Sequence, residues 1–261
     1  MRRTATRAQR LRSLRRRRGT VHRNRYRFDC YTTLGKLRGA VITVVLSFGW
    51  AASAAEHQHS PPTVLAPGYF DLEFTPPTPG SYQLPSLRIA ADGAVLDDTG
   101  RPRRLYDYLG DRIVLLSFIY TTCSDVNGCP LAAYVLKRVQ DRALAEPALR
   151  EQLRLVSISF DPEHDTPPLM AAYGARLRAA GFDWAFLTSA SEPQLKPILD
   201  AYDQSVFRDE SGAVSHILRV MLIDRQHRVR NIYSVSFLHP DTVLNDVRTL
   251  LLEAHATGAS Q

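Results

Sequence analysis

Two runs of apolar residues constrain the fold of this chain more than any other feature of its sequence. Residues 113–120 read IVLLSFIY and residues 153–160 read LRLVSISF, and each run is long enough for one strand. A strand that is apolar on both faces must be covered from both sides, as parallel strands are when helices pack on each face of their sheet. The sequence therefore predicts an α/β protein with a buried central sheet.

Helical and strand patterns alternate around these two runs. The expected elements are helices from Pro130 and over 166–180, a strand at 184–187, a helix at 192–202, strands at 216–224 and 229–234, and a helix at 240–254. A turn signal at Asp92-Gly93 predicts a small N-terminal hairpin within residues 87–96. The order β-α-β-α-β followed by β-β-α predicts a thioredoxin-like fold, with a mixed central sheet flanked by helices.

The first 55 residues have the composition of a targeting segment. Residues 1–38 contain 14 Lys and Arg and one acid, Asp29, and the apolar stretch GAVITVVLSFGWAASA follows at residues 39–54. This pattern predicts a secretory signal peptide, and an uncleaved leader that tethers the protein to the membrane is the alternative. In both cases we expect the protein in the periplasm or on the outer face of the cytoplasmic membrane.

The positive charge of the chain belongs to this leader. The whole sequence carries +7 and residues 1–38 carry +13, so the remainder carries −6. That remainder lacks the basic surface that nucleic-acid-binding proteins need. We therefore exclude nucleic acid as a partner.

A proline-rich stretch separates the leader from the globular part. Residues 56–86 contain too many prolines for a helix or a central strand, which predicts an extended, partly ordered arm. Residues 87–261 have the length and texture of one domain. We expect three parts: the leader at 1–55, the arm at 56–86 and the domain at 87–261.

Two of the three cysteines lie close together where the first apolar run ends. Cys123 and Cys129 belong to the stretch TTCSDVNGCP, and the third cysteine is in the leader. On one helix their Cα atoms would be about 9 Å apart, too far for a disulfide or a shared metal ion. The spacer must therefore fold back as a loop, for which Asp125 and Asn127-Gly128 provide turn chemistry.

The position of Cys129 favours a reactive or metal-binding sulfur. It precedes Pro130, a residue typical of the first turn of a helix, so the helix dipole is expected to stabilise the Cys129 thiolate. The alternative is a structural disulfide or a pair of inert buried thiols. Open α/β sheets usually place ligands and chemistry at the carboxyl ends of their strands, which favours a functional pair.

Several motifs together resemble the SCO/SenC family. The matching stretches are FIYTTC at residues 118–123, Asp125-Val126, Cys129-Pro130, SFDPEHDTP at residues 159–167, and His216 followed by LID at residues 222–224. The resemblance covers about residues 87–252. It implies a thioredoxin-like copper-binding protein whose ligands would be Cys123, Cys129 and His216.

The resemblance also implies a partner and two modes of action. The partner would be the copper-accepting subunit of cytochrome c oxidase, or a related copper protein. The chain would act on it as a copper metallochaperone or as a thiol-disulfide oxidoreductase with Cys123 and Cys129 as the redox pair. Two thiolates select Cu(I), and one imidazole completes a trigonal ligand set.

The spacer between the cysteines departs from the family pattern. The family has three residues there and this chain has five, with Asn127-Gly128 as the two extra residues. Because the insertion lies inside the expected binding loop, copper geometry and redox potential are expected to differ from those of the family. The difference favours the oxidoreductase alternative.

The polar residues after the second apolar run are interpreted as structural. Asp165-Thr166-Pro167 has the order of a helix N-cap. Asp161 is expected near the cysteine loop, because parallel strands deliver their carboxyl ends to the same edge. Trp184 is expected in the core.

Overall fold

The structure is a computed structural model that describes residues 63–208 and 214–258. The predicted leader at residues 1–55 lies outside the described residues, as does the beginning of the predicted arm. The boundaries of the three predicted parts stay predictions. In the two described ranges no helix combines the length and the apolar character needed to cross a membrane.

A mixed sheet organises the described residues. The strands that they form are β1 (Arg88–Ile89), β2 (Ala94–Asp97), β3 (Pro102–Arg104), β4 (Ile113–Ile119), β5 (Leu153–Ser159), β6 (Trp184–Thr188), β7 (Val206–Arg208), β8 (Val214–His216), β9 (Val220–Ile223) and β10 (Arg228–Tyr233). Eight of them form a sheet in the order β1-β10-β9-β4-β5-β6-β2-β3, and β7 pairs with β8 in a second sheet. The pairs β4-β5 and β5-β6 are parallel, whereas β9 runs antiparallel to β4. The predicted mixed central sheet is confirmed.

Five α-helices surround this sheet in the part of the chain that the structure describes. They are α1 (Cys129–Leu144), α2 (Pro147–Gln152), α3 (Pro167–Ala175), α4 (Glu192–Ala201) and α5 (Pro240–Gly258), and short 3-10 turns occur at Pro67–Tyr69 and Leu105–Tyr108. Each α-helix has a proline at its first or second position, where the missing N–H costs no helical hydrogen bond. Only α2 is absent from the sequence-based prediction.

The position of β4 in the sheet, between two core clusters, explains why its sequence is almost entirely apolar. Its alternate residues Ile113, Leu115 and Ile119 join the core cluster that also contains buried residues of α1 and α5. Its other residues, Val114, Leu116 and Phe118, join the cluster on the opposite face, with buried residues of α4. Both faces of β4 are therefore covered. Trp184 is buried in the first cluster, as predicted.

The predicted pairing within residues 87–96 is wrong. β1 pairs with β10 at one edge of the sheet, whereas β2 pairs with β3 and β6 near the other edge. The Asp92 carboxylate accepts a hydrogen bond from the Tyr106 N–H at 3.0 Å, and a Cβ on Gly93 would lie 2.3 Å from the Ile198 side chain. These contacts hold the chain where it crosses between the edges. The N-terminal hairpin of the fold is β2-β3.

The expected strand over residues 216–224 is divided in two. β8 ends at His216 in the small sheet, and β9 begins at Val220 in the central sheet. Between them Leu218 turns into the core, while the Arg219 guanidinium donates to the Asp203 carbonyl. The break places His216 on a two-stranded hairpin outside the central sheet.

Candidate metal and dithiol site

The five residues between the cysteines fold back as a compact loop, as predicted. The Asp125 carbonyl accepts a hydrogen bond from the Gly128 N–H at 2.9 Å, and the Asp125 carboxylate accepts one from the Asn127 N–H at 3.0 Å. Gly128 has a φ of −96°, so the loop uses its small size rather than a positive φ. A Cβ there would lie 3.3 Å from the Cys123 sulfur. The loop thus packs that sulfur against the start of α1.

Asp165 anchors the beginning of the loop. Its carboxylate accepts hydrogen bonds from the Thr121 N–H at 3.0 Å, the Thr121 hydroxyl at 2.5 Å and the Ser159 hydroxyl at 2.5 Å. The predicted N-cap position is confirmed at Thr166, directly before Pro167, although no side chain caps the helix by a hydrogen bond. A buried carboxylate requires such donors. Asp165 obtains them from the carboxyl ends of β4 and β5 and so ties these ends together.

Cys129 and His216 lie side by side at the same end of the sheet. Cys129 is the first residue of α1, directly after the N-cap Gly128, and only 1% of it is exposed. His216 is the last residue of β8. The Cys129 sulfur and Nε2 of His216 are 4.0 Å apart.

Aromatic and ionic contacts hold the hairpin that carries His216. The centroid of its ring lies 4.6 Å from that of Phe160 and 6.1 Å from that of Tyr120. On the neighbouring strand β7, the Arg208 guanidinium donates to the buried Asp161 carboxylate at 2.8 Å. Asp161 therefore serves the site as an anchor for the hairpin.

The two thiols have opposite protonation tendencies. A hydrogen bond from the Cys129 thiol lowers the pKa of Cys123 to about 6, against the effect of burial and with help from the Cys129 N–H and the Tyr120 hydroxyl. The same thiol-thiol hydrogen bond, together with burial, raises the pKa of Cys129. The expectation that the helix dipole favours the Cys129 thiolate is therefore wrong, because the hydrogen bond with Cys123 and burial outweigh the N–H at the helix start. At neutral pH Cys123 is the thiolate and Cys129 the thiol.

The imidazole is suited to donate a lone pair. Burial lowers the pKa of His216, and the negative charge of Asp125 only partly opposes this effect. His216 is therefore neutral at neutral pH. Neutral imidazole is the form that binds metal ions.

The chemistry of the three side chains suits a soft metal ion. Both cysteines are free thiols. Typical metal bonds of ~2.3 Å to sulfur and ~2.0 Å to nitrogen allow one ion to reach Cys129 and His216 at their separation. Over residues 63–208 and 214–258 no group of three or more His, Cys, Asp or Glu residues is already drawn together into a closed ligand set. Binding would require the cysteine loop or the hairpin to close further.

Three neighbours of the site escaped the sequence-based interpretation: Tyr120, Phe160 and Arg208. Tyr120 and Phe160 are the last residues of the two apolar runs, and neighbouring parallel strands bring such residues to one edge of the sheet. That signal could have identified both. Arg208 lies on the three-residue strand β7, whose sequence has no strand pattern long enough to recognise.

Comparisons with known proteins agree in one family. The sequence profile of the SCO1/SenC family matches residues 85–252. The SCO1 protein homolog of Bacillus subtilis (strain 168) is 24% identical over 144 residues, which are 54% of this chain and 72% of that protein.

Solved structures of Sco proteins have a similar fold. Arabidopsis thaliana ScoI, solved with copper bound, has a TM-score of 0.52 and 22% identity over 62% of this chain and 99% of its own. BsSco, described with a disulfide switch and as a member of the Sco family of cytochrome c oxidase assembly proteins, has a TM-score of 0.51 and 23% identity over 62% of this chain and 92% of its own. The predicted thioredoxin-like fold is confirmed.

Proposed function

The chain belongs to the SCO1/SenC family, and from this membership we propose that it is an exported copper-binding protein with Cys123, Cys129 and His216 as ligands. It assists maturation of the copper centre of cytochrome c oxidase. The main support for the proposal is that the Cys129 sulfur lies 4.0 Å from Nε2 of His216, next to Cys123. A Sco protein solved with copper bound supports the identity of the metal.

The protonation states of the site agree with copper as cargo. The Cys123 thiolate and the neutral His216 imidazole present lone pairs at neutral pH, whereas Cys129 must first release its proton. Two thiolates and one imidazole form a ligand set that prefers Cu(I). Copper uptake should therefore release about one proton per ion near neutral pH.

The proposed partner is inferred from the family, and the proposed location from the leader. BsSco is described as a member of a family of cytochrome c oxidase assembly proteins. The partner of this chain would be the copper-accepting subunit of that oxidase, or a related copper protein. The basic and apolar leader would carry the domain to the periplasm or to the outer face of the cytoplasmic membrane, where a dithiol can cycle with a disulfide.

Metal analysis of the reduced protein tests the ligand set. The wild-type chain should retain about one copper ion per molecule after desalting. Cys123→Ser, Cys129→Ser and His216→Ala should each lose it. A wild-type protein that retains no copper, or a His216→Ala protein that retains as much as the wild type, contradicts the proposal.

The arrangement of the thiols favours a second candidate function, thiol-disulfide oxidoreductase. The partly exposed Cys123 thiolate is placed to attack, and the buried Cys129 is placed to resolve. The Cys123 thiolate would attack a disulfide of the partner and displace one partner thiolate. Cys129, after losing its proton, would then attack the Cys123 sulfur and release the second partner thiolate. The partner disulfide gains two electrons and the Cys123-Cys129 pair loses them.

Metal-free protein separates the two functions. An oxidoreductase should reduce a disulfide substrate without copper and lose this activity in Cys123→Ser and in Cys129→Ser. His216→Ala should spare this activity while copper retention is lost. If wild-type protein retains copper but shows no thiol exchange, the oxidoreductase function is ruled out and only the chaperone function remains.

A further inference from the structure

The side-chain amide of Asn127 joins the N-terminal arm to the cysteine loop. Its Oδ1 accepts a hydrogen bond from the Ala66 N–H at 2.8 Å, and its Nδ2 donates one to the Val64 carbonyl at 2.8 Å. Both polar atoms of the amide are thus used on backbone groups of one segment, as a neighbouring strand would use them. Asn127 and Ala66 are 61 residues apart in the sequence, so this contact belongs to the tertiary structure.

A tyrosine makes a second connection, one residue earlier in the loop. The Tyr69 hydroxyl donates to the Val126 carbonyl at 2.5 Å, and its ring centroid lies 5.0 Å from that of Tyr134 in α1. The arm is also pressed onto the domain at Gly68, where a Cβ would lie 2.2 Å from the Leu238 carbonyl oxygen. Residues 64–69 therefore form a fixed support for the loop.

The supported residues lie between the two cysteines. Asn127 and Gly128 are the last two residues of the five-residue spacer, and Cys129 follows directly. The Cys123 sulfur packs against Gly128. A displacement of Asn127 would therefore move the backbone that holds the two sulfurs beside each other.

We propose that residues 64–69 of the arm are part of the dithiol site and that Asn127 is a positioning residue for Cys123 and Cys129. The inference deepens the proposed function and rests on it. The arm then has a physical role: a five-residue loop can adopt many conformations, and the contacts with the arm restrict them.

The expected consequence is a change in the dithiol-disulfide equilibrium. When the pair reacts with glutathione disulfide, the glutathione S–S bond breaks and the Cys123-Cys129 S–S bond forms. The pair loses two electrons, and the two glutathione sulfurs gain them and leave as thiols, with the Cys129 proton and one proton from solvent. The equilibrium constant depends on the effective concentration of one sulfur at the other. Removing the contacts with the arm lets the spacer sample more conformations and lowers that concentration.

The test is a titration of the full chain in glutathione redox buffers. The fraction of the Cys123-Cys129 disulfide is read by alkylating the free thiols and analysing the two peptides by mass spectrometry. In Asn127→Ala the equilibrium should shift about tenfold toward the dithiol, which is about 30 mV for a two-electron couple. Tyr69→Phe, which loses one hydrogen bond, should shift it about threefold in the same direction.

Phe74→Ala is the matched control. Phe74 lies in the arm outside residues 64–69, and its side chain is 60% exposed. Its equilibrium constant should equal that of the wild type. Hydrogen exchange of the Ala66 amide, whose acceptor is Asn127, should accelerate in Asn127→Ala and stay unchanged in Phe74→Ala. Should Asn127→Ala fail to fold, the Tyr69→Phe result decides in its place.

The possible results separate this inference from the function on which it rests. A wild-type chain that neither retains copper nor forms the disulfide overturns both. A wild-type chain that forms the disulfide, with equilibrium constants in Asn127→Ala and Tyr69→Phe within twofold of its own, overturns the role of the arm alone. A shift in Phe74→Ala as large as that in Asn127→Ala also overturns it.

Discussion

The Cys129 sulfur lies 4.0 Å from Nε2 of His216, although 87 residues separate them in the sequence. Cys129 begins α1, which follows a strand of the central sheet, whereas His216 ends β8 in the separate two-stranded sheet. The contact therefore depends on the docking of a hairpin onto the sheet. The thiol loop and the hairpin can be perturbed separately.

Replacing His216 by alanine should weaken copper binding without disturbing the thiols. We expect the affinity for Cu(I) to fall by at least about 100-fold, because a direct ligand contributes more than an outer-shell partner, whose loss costs about 10–100-fold. Competition with a chromophoric Cu(I) chelator measures the change. His227→Ala is the control, because that imidazole packs against Tyr106 in the turn between β9 and β10. If His216→Ala and the control variant bound Cu(I) with equal affinity, the assignment of His216 as a ligand would be contradicted.

The reactivity of Cys123 should depend on pH with a midpoint near its lowered pKa. Since that pKa is about 6, alkylation by iodoacetamide should accelerate as the pH rises through about 6 and then level off. In the unfolded chain the same rise should occur near about 8.5. Cys129, whose pKa is raised, should react slowly throughout. Peptide mass spectrometry over a pH series follows both residues.

Tyr120 provides the matching variant for the Cys123 prediction. Its hydroxyl helps to lower the pKa of the Cys123 thiol. In Tyr120→Phe the alkylation midpoint should move to higher pH. Tyr106→Phe, whose hydroxyl donates to the Ala90 carbonyl away from the loop, should leave it unchanged. A midpoint near 8.5 in the folded wild type would refute the hydrogen-bonded thiolate.

Arg208 should contribute to both stability and copper binding through Asp161. In Arg208→Gln the buried Asp161 carboxylate loses its guanidinium partner, so the hairpin that carries His216 should loosen. Because Arg208 is partly exposed, we expect the free energy of unfolding to fall by about 1 kcal/mol. Urea denaturation and Cu(I) competition measure the two effects. Lys196→Gln, which breaks the exposed pair with Asp200, should change neither by much.

The parts of the fold set by long apolar periodicity could be predicted from the sequence. The strands β4 and β5 and the helices α1, α4 and α5 were found because their patterns run over many residues and report burial directly. The pairing of β1 with β10 could not be found in this way. Two-residue strands have no pattern of their own, and their partner depends on contacts elsewhere, such as those of Asp92 and Gly93.

The candidate site was predictable in its residue types and not in its electrostatics. The motif resemblance named Cys123, Cys129 and His216, and the structure brings them to one end of the sheet. The helix-dipole argument chose the wrong thiolate, because the direction of the Cys129 N–H and the burial of Cys129 depend on the folded loop. The contact of Asn127 with the arm could not be predicted either. An asparagine that only forms a turn and one that also binds a distant segment cannot be told apart in the sequence.

Asp165→Asn should disturb the cysteine loop from its beginning. Three donors converge on the Asp165 carboxylate, and an amide would place an N–H₂ group against at least one of them. We expect the free energy of unfolding to fall by about 1–3 kcal/mol, the cost of buried groups left without partners. Because Thr121 lies two residues before Cys123, copper retention should fall as well.

Asp141→Asn is the matched control for this last substitution. Asp141 forms an exposed ion pair with Lys137 on α1, so the same chemical change occurs without buried donors. It should alter the free energy of unfolding by no more than about 0.5 kcal/mol and leave copper retention unchanged. Urea denaturation and metal analysis measure both variants. If Asp165→Asn matched this control in both measurements, the loop would be held by its own turn rather than by the carboxylate between the ends of β4 and β5.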